Sequence, residues 1–179
     1  MERSYTISPS NDSTIAVEIW RTGLTKKRKH VIFFEDFCGE LRLASEQASV
    51  SAFALTVNAS SAICCDKWLS GRRRKRVTSY AREVALAAQQ YPKLQFASER
   101  ISTKQLRGFA LEGQLKIRDA SQTIKVNAVL TQVKRDFQID GDSTFRLSQF
   151  GISPPRRFFG LVRVQDEVMV RILLWARQP

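Results

Sequence analysis

Strict alternation of apolar and polar residues, repeated in several separate runs, is the feature that most limits how this chain folds. In the run Phe109–Ile117, every second residue from Phe109 onward is apolar or glycine, and most of the residues between them are polar. The runs 15–19, 37–43 and 168–174 follow a similar pattern. Because successive side chains of a β-strand point to opposite faces, each run predicts a strand with one buried face.

Two further segments, 48–57 and 124–133, are also predicted as strands, although both of their faces carry apolar residues. Turn-forming residues separate the runs at Ile139–Asp142, Ser153–Pro155 and Gln165–Glu167, and each of these predicts a turn. Many short antiparallel strands usually close into a barrel or pack as a sandwich, because both arrangements limit the exposed sheet edges that could pair with other chains.

One mid-sequence segment predicts a helix instead. Apolar residues recur there at three- and four-residue steps, at Val77, Tyr80, Ala81, Val84 and Ala88. Ser70 is a suitable N-cap, and Tyr91-Pro92 predicts the end because a residue before proline avoids helical dihedrals. The predicted fold is therefore all-β and antiparallel, with one α-helix over about residues 70–90.

The composition predicts an ordinary globular chain with an unusual charge. Its 179 residues suit a single domain over 1–179, and the formal net charge is +12. The sequence contains no run of about 18 apolar residues, so no transmembrane helix is predicted, and the N-terminus shows no apolar secretory segment. The three cysteines have no disulfide-framework spacing. We therefore expect a cytoplasmic protein with free thiols.

Several motifs, in order along the chain, resemble the YceI-like family of lipocalin-like, polyisoprenoid-binding barrel proteins. They are Tyr5–Pro9, His30–Ile32, Asp36–Gly39, Tyr91–Ser98, Leu111–Ile117, Phe150–Pro154 and Gly160–Val168. The sequence departs from the family pattern at Asn11–Ser13, where a His-Ser pair is usual, at Arg28, where a histidine is usual, and at Asp119, where a glycine is usual.

The resemblance implies an antiparallel, lipocalin-like β-barrel of about eight strands that binds a long-chain isoprenoid, such as a polyprenyl compound or an isoprenoid quinone. The expected lining comprises Ile15, Val17, Ile19, Phe37, Gly39, Leu41, Leu94, Phe96, Phe109, Leu111, Gly113, Leu115, Val168, Val170 and Ile172. The two glycines would leave room in the bore. The same inward stripe is equally compatible with a packed core, so the pattern leaves both interpretations open.

Catalysis is not expected. His30 is the sole histidine, and the chain has no nucleophile-elbow, zinc-protease or phosphate-loop motif. The adjacent Asp166 and Glu167 would point to opposite faces of an extended strand, which favours a turn role over paired acid–base work. A non-enzymatic binding protein without a cofactor is predicted. A barrel enzyme that uses His30 is the weaker alternative.

Three basic runs, Lys26–Lys29, Arg72–Arg76 and Arg156-Arg157, raise the question of an anionic partner. Our hypothesis is that they crowd one end of the barrel and attract an anionic lipid head group or an anionic membrane surface. The residues expected there are Arg28, Lys29, His30, Arg72, Arg73, Arg156 and Arg157. Two alternatives stay open for the basic runs: a solvated charged face, and nonspecific or dedicated binding of nucleic acid. A homodimer is a separate expectation, since barrels often pair through an exposed face.

Overall fold

The structure is a computed structural model that describes residues 2–23, 27–44, 49–103, 108–157 and 162–179, with only the backbone of Arg156, Arg157 and Val162. The strands in these ranges are β1 (Glu2–Ile7), β2 (Thr14–Thr22), β3 (Arg28–Phe34), β4 (Phe37–Ala44), β5 (Ser49–Asn58), β6 (Ala62–Cys64), β7 (Lys93–Thr103), β8 (Gly108–Ile117), β9 (Ala120–Val133), β10 (Asp136–Arg146), β11 (Arg156–Arg157) and β12 (Val162–Arg177). The helical segments are α1 (Gly71–Ser79), a π-helix (Tyr80–Ala85) and 3₁₀ turns at Ala59–Ser61 and Leu147–Phe150.

Eight of these strands form a closed antiparallel barrel in the order β1-β4-β5-β7-β8-β9-β10-β12. The barrel closes where β12 pairs with β1, with Ile7 opposite Ala176 and Thr6 opposite Arg177. The predicted all-β barrel of about eight strands with one helical segment is confirmed.

The length of β12 gives the barrel two different ends. Its C-terminal end pairs with β1, whereas its earlier residues pair with β2, which continues the sheet into β3 and β6. The helix packs against β6, where the Cys64 amide donates to Thr78 Oγ1 at 3.0 Å and Arg82 Nε donates to the Ala62 carbonyl at 2.6 Å. The wall at the β2–β3 end is therefore completed by a sheet extension and a helix.

The end closed by β1 is filled with side chains. Ile7, Leu41, Ile139 and Leu174 are fully buried there, and the Tyr5 ring packs edge-on against Phe137 at 5.0 Å between centroids. A barrel of eight strands is narrow enough for such side chains to fill it. This half of the barrel is core.

The helix starts as predicted but ends earlier. Ser70 is the N-cap, and its hydroxyl accepts from the Arg73 amide. The last helical residue is Ala85, and Ala87 has a positive φ of 47°. The wider π-helical turn shifts the apolar spacing, so Ala85 faces inward and Val84 is 58% exposed. The prediction that Val84 lies on the buried face is wrong for this reason.

Two predicted turns are also wrong. Asp140–Asp142 lies in the middle of β10, where a Cβ on Gly141 would come within 2.9 Å of the Asn127 carbonyl on β9. This glycine permits close strand approach and does not form a turn. Gln165–Glu167 lies within β12, at the register irregularity between Val164 and Val168. The hairpin before β10 instead turns at Lys134, whose φ is 59°.

Candidate functional site: an apolar cavity with a basic mouth

A cavity of about 910 Å³ occupies the half of the barrel that the core does not fill. Its wall is predominantly apolar and is built from strands β2, β3, β5, β7, β8, β9, β10 and β12 together with the helix. The volume lies toward the upper end of the range of about 300–1,000 Å³ found for ligand pockets. The barrel thus has room for a hydrophobic molecule.

Nine of the fifteen residues expected to line the bore contribute to this wall. They are Ile15, Val17, Ile19, Leu94, Phe96, Leu115, Val168, Val170 and Ile172. Each is on a strand whose alternate residues point outward, so the alternation in the sequence places these side chains inside.

The other six lie elsewhere. Phe37, Leu41, Phe109 and Leu111 are buried in the packed core and do not line the cavity. Gly39 and Gly113 are also off the cavity wall. A Cβ on Gly113 would come within 2.2 Å of the Ala97 carbonyl on the neighbouring strand, so its role is close strand packing and it does not widen the bore.

Part of the wall was not expected from the sequence. The missed apolar lining residues include Ile32, Phe34, Phe53, Leu55, Val57, Trp68, Val77 and Tyr80. The missed residues on strands follow the same two-residue period, at positions 32 and 34 of β3 and 53, 55 and 57 of β5. The alternation in these two segments therefore contained the signal for them. Trp68 lies in a loop and has no periodic signal.

Arginines gather at the mouth of the cavity. Arg21 and Arg28 are directly opposite each other on β2 and β3, and Arg73 and Arg76 face the cavity from the first turns of α1. Within the described part of the chain, none of these four side chains forms an ion pair with an acidic residue. Cations without an acidic ion-pair partner among the described residues make the mouth attractive to an anion.

The remaining expected head-group residues are placed differently. Lys29 lies on the outer face of the sheet, where its Nζ is 3.0 Å from Glu18 Oε1, because it alternates with the inward His30. Arg72 is exposed and is not part of the cavity wall. The backbone of Arg156 and Arg157 pairs with β12 beside the mouth residues Pro154 and Pro155. Lys26 lies outside the described residues.

His30 lines the cavity and is held from behind by a buried carboxylate. Its Nδ1 is 2.7 Å from Asp66 Oδ2, and the same oxygen accepts from the Cys64 thiol at 3.4 Å. Asp66 Oδ1 accepts from the Val31 amide at 3.0 Å. Burial raises the pKa of Cys64 to about 11, so the thiol stays protonated and continues to donate. Sequence analysis missed Asp66, since its partner is distant along the chain.

These three side chains are also the described group most able to hold a metal ion. The candidate ligand atoms of His30, Cys64 and Asp66 all lie within 4.8 Å of one another. At present the three groups satisfy one another by hydrogen bonds, so their observed geometry is that of a positioned histidine.

The fold and the site together define an antiparallel barrel that is filled at one end and, at the other, encloses an apolar cavity with a basic mouth. The model of the YceI-like domain matches residues 5–176. The chain belongs to the YceI-like family. No curated protein sequence matches it.

Solved structures of the same fold resemble this chain despite low identity. BcnA from Burkholderia cenocepacia matches with a TM-score of 0.68 and 18% identity, over 90% of this chain and 96% of that protein. The YceI protein of Campylobacter jejuni matches with a TM-score of 0.64 and 14% identity, over 83% of this chain and 84% of that protein. At these identities the likeness concerns the fold.

Proposed function

We propose that this protein binds a long-chain isoprenoid, or a similar amphiphilic lipid, inside the barrel and carries or sequesters it without chemical conversion. The observation that carries the proposal is the distribution of polarity in the cavity. The wall is apolar through most of its depth, and its cationic side chains lie at the mouth. An amphiphile with an apolar chain and an anionic head group is complementary to this arrangement.

The energetics support a chain as the buried part of the ligand. Each methylene transferred from water to an apolar site gains about 0.8 kcal/mol, and the wall residues Val17, Phe96 and Val170 offer few polar groups that would have to lose water. The loss of rotational freedom opposes this gain, so a chain of several isoprene units is needed for micromolar affinity.

The arginine mouth supports a negatively charged head group, such as a phosphate. Guanidinium groups donate several hydrogen bonds in a planar fork that matches phosphate oxygens. Trp68, which is partly exposed beside Arg28, would lie at the level of the lipid head groups if the mouth meets an anionic membrane surface. No helix of the described chain is long and apolar enough to cross a membrane. The comparisons do not support the nucleic-acid alternative.

Native mass spectrometry of the delipidated protein with geranylgeranyl phosphate tests the proposal. We expect a one-to-one complex with a Kd in the micromolar range or below. Ala81→Trp, which places a large ring into the cavity from the π-helix, should abolish the complex. Val84→Trp is the matched control on the same helix because Val84 points to solvent.

Two results would overturn the proposal. One is the absence of any complex with the delipidated wild-type protein. The other is equal binding by Ala81→Trp and Val84→Trp, which would locate the lipid outside the cavity.

A further inference from the structure

His30 occupies a particular level in the cavity wall. Along β3, His30, Ile32 and Phe34 line the cavity, and Arg28 precedes them on the same face, against the Trp68 ring and opposite the cavity-lining Arg21. Residues two apart on a strand are separated by about 7 Å. His30 therefore lies one step below the arginines and directly above the apolar wall, where a bound lipid would pass from head group to chain.

Asp66 determines which ring nitrogen carries the proton. The buried carboxylate accepts hydrogen bonds from the Val31 amide and the Cys64 thiol, and an ionised carboxylate can only accept. With an ionised Asp66, the hydrogen bond between the two side chains is donated by Nδ1 of the histidine. In a neutral imidazole with Nδ1 protonated, Nε2 is left as a bare acceptor.

His30 Nε2 forms no hydrogen bond within the described part of the chain. The one fully enclosed side-chain nitrogen or oxygen that lacks a partner there is Arg118 Nε. His30 Nε2 is therefore still accessible, and its side chain lines the cavity with the ring tilted against Trp68 at 5.0 Å. A ligand that fills the cavity removes water from Nε2. Unless the ligand donates a hydrogen bond in its place, this acceptor is left without one.

We propose that His30 Nε2 accepts a hydrogen bond from a hydroxyl group of the bound lipid, so that among uncharged isoprenoids the cavity selects alcohols over ethers and carbonyl compounds of the same shape. The inference rests on the proposed function, since the hydroxyl group is presented by a chain in the cavity. Its physical basis is the cost of burying an acceptor opposite a group that cannot donate. Asp66 acts here as a positioning residue, because it fixes the tautomer and does not itself meet the ligand.

The matched probes are geranylgeraniol and its O-methyl ether, which differ by the single donor hydrogen. We expect the delipidated wild-type protein to bind the alcohol about ten-fold more tightly than the ether. In His30→Phe the ratio should fall to about one through loss of alcohol affinity. His30→Gln retains an acceptor and should retain part of the preference.

A spectroscopic measurement on the wild-type protein covers the case in which His30→Phe fails to fold because Asp66 loses its partner. His30 is the sole histidine in the sequence, so protein labelled with ¹⁵N-histidine gives one pair of ring-nitrogen signals. Geranylgeraniol should shift the Nε2 signal, and the ether should leave it near its free position.

The outcomes separate this inference from the proposed function. Equal affinity for alcohol and ether, with an Nε2 signal that does not respond to the alcohol, would overturn the role of His30 and leave the lipid cavity standing. Failure of the wild-type protein to bind either probe, or geranylgeranyl phosphate, would overturn both.

Discussion

The guanidinium groups of Arg21 and Arg28 both lie against the Trp68 ring, at 5.7 and 4.9 Å from its centroid, although the two arginines are directly opposite each other on β2 and β3. Like charges in this position repel each other. Each contact with the ring contributes about 0.5–1 kcal/mol at an exposed site, which offsets part of the repulsion. Trp68 thereby holds two cations beside the cavity mouth.

Replacing Arg28 with glutamine should weaken binding of geranylgeranyl phosphate by about five-fold or more in low salt, because the head group loses a charge-assisted partner. The difference should shrink as salt rises and screens the remaining cations. Titration calorimetry at two salt concentrations measures both effects. Lys29→Gln is the matched control, since Lys29 points outward toward Glu18. An equal loss in both variants would contradict an anion-binding mouth.

Truncating a core residue and a wall residue should have unequal effects on stability. Leu41→Ala removes a fully buried side chain at the filled end of the barrel and should lower the free energy of unfolding by about 2–5 kcal/mol. Val170→Ala removes carbons that already border empty space, so we expect a loss of about 1 kcal/mol. Urea denaturation of the delipidated variants measures both. Equal losses would indicate that the cavity is packed in solution.

The buried thiol of Cys64 should make stability depend on alkaline pH. Burial raises its pKa from 9.0 to about 11. Between these values the unfolded chain releases the proton and the folded protein keeps it, so the stabilisation present below pH 9 is lost as the pH rises toward 11. The difference in unfolding free energy between the wild-type protein and Cys64→Ala should therefore decline across this window. A difference in unfolding free energy that stays constant from pH 9 to 11 would contradict the raised pKa of Cys64.

Cysteine labelling gives a separate test of the same burial. Cys38 and Cys65 are exposed, whereas Cys64 is buried. Iodoacetamide near pH 8 should modify the first two in the native protein, and Cys64 should react only after denaturation. Peptide mapping by mass spectrometry distinguishes the adjacent Cys64 and Cys65 by fragmentation. Rapid labelling of native Cys64 would contradict its burial.

Asp166 should stabilise the 3₁₀ turn that precedes the cavity mouth. Its two carboxylate oxygens accept from the amide and the hydroxyl of Ser148, at 2.8 and 2.5 Å. Asp166→Ala should lower the free energy of unfolding by about 1 kcal/mol and increase amide exchange at Ser148. Glu167→Ala, on the exposed neighbouring residue, should change stability by less than about 0.5 kcal/mol. Equal effects would leave Asp166 without a special role.

Alternation was sufficient to predict the barrel strands but not the division between core and cavity. Leu41 and Leu115 show the same pattern in the sequence, yet Leu41 is packed at the filled end and Leu115 borders the cavity. Alternation reports which face of a strand is inward. It does not report how deep in the barrel a residue lies, because depth depends on strand register and on where β12 changes partner from β2 to β1.

The turn predictions failed for a related reason. Gly141 serves close strand approach within β10, whereas the real hairpin turns at Lys134, a residue with no turn preference of its own. The site shows the same limit. Asp66 and Trp68 meet His30 only through tertiary structure, so neither could be assigned to the cavity mouth from sequence spacing.

The pairing of Ile7 with Ala176 makes barrel closure depend on a contact between residues far apart in the sequence. On the ribosome this contact can form only after β12 has emerged, and contacts of such long sequence separation are slow to form. Until then the sheet has two open edges, one at β1 and one at β10, and unpaired edges can pair with other chains. The nascent protein therefore passes through an aggregation-sensitive interval that ends when β12 reaches β1.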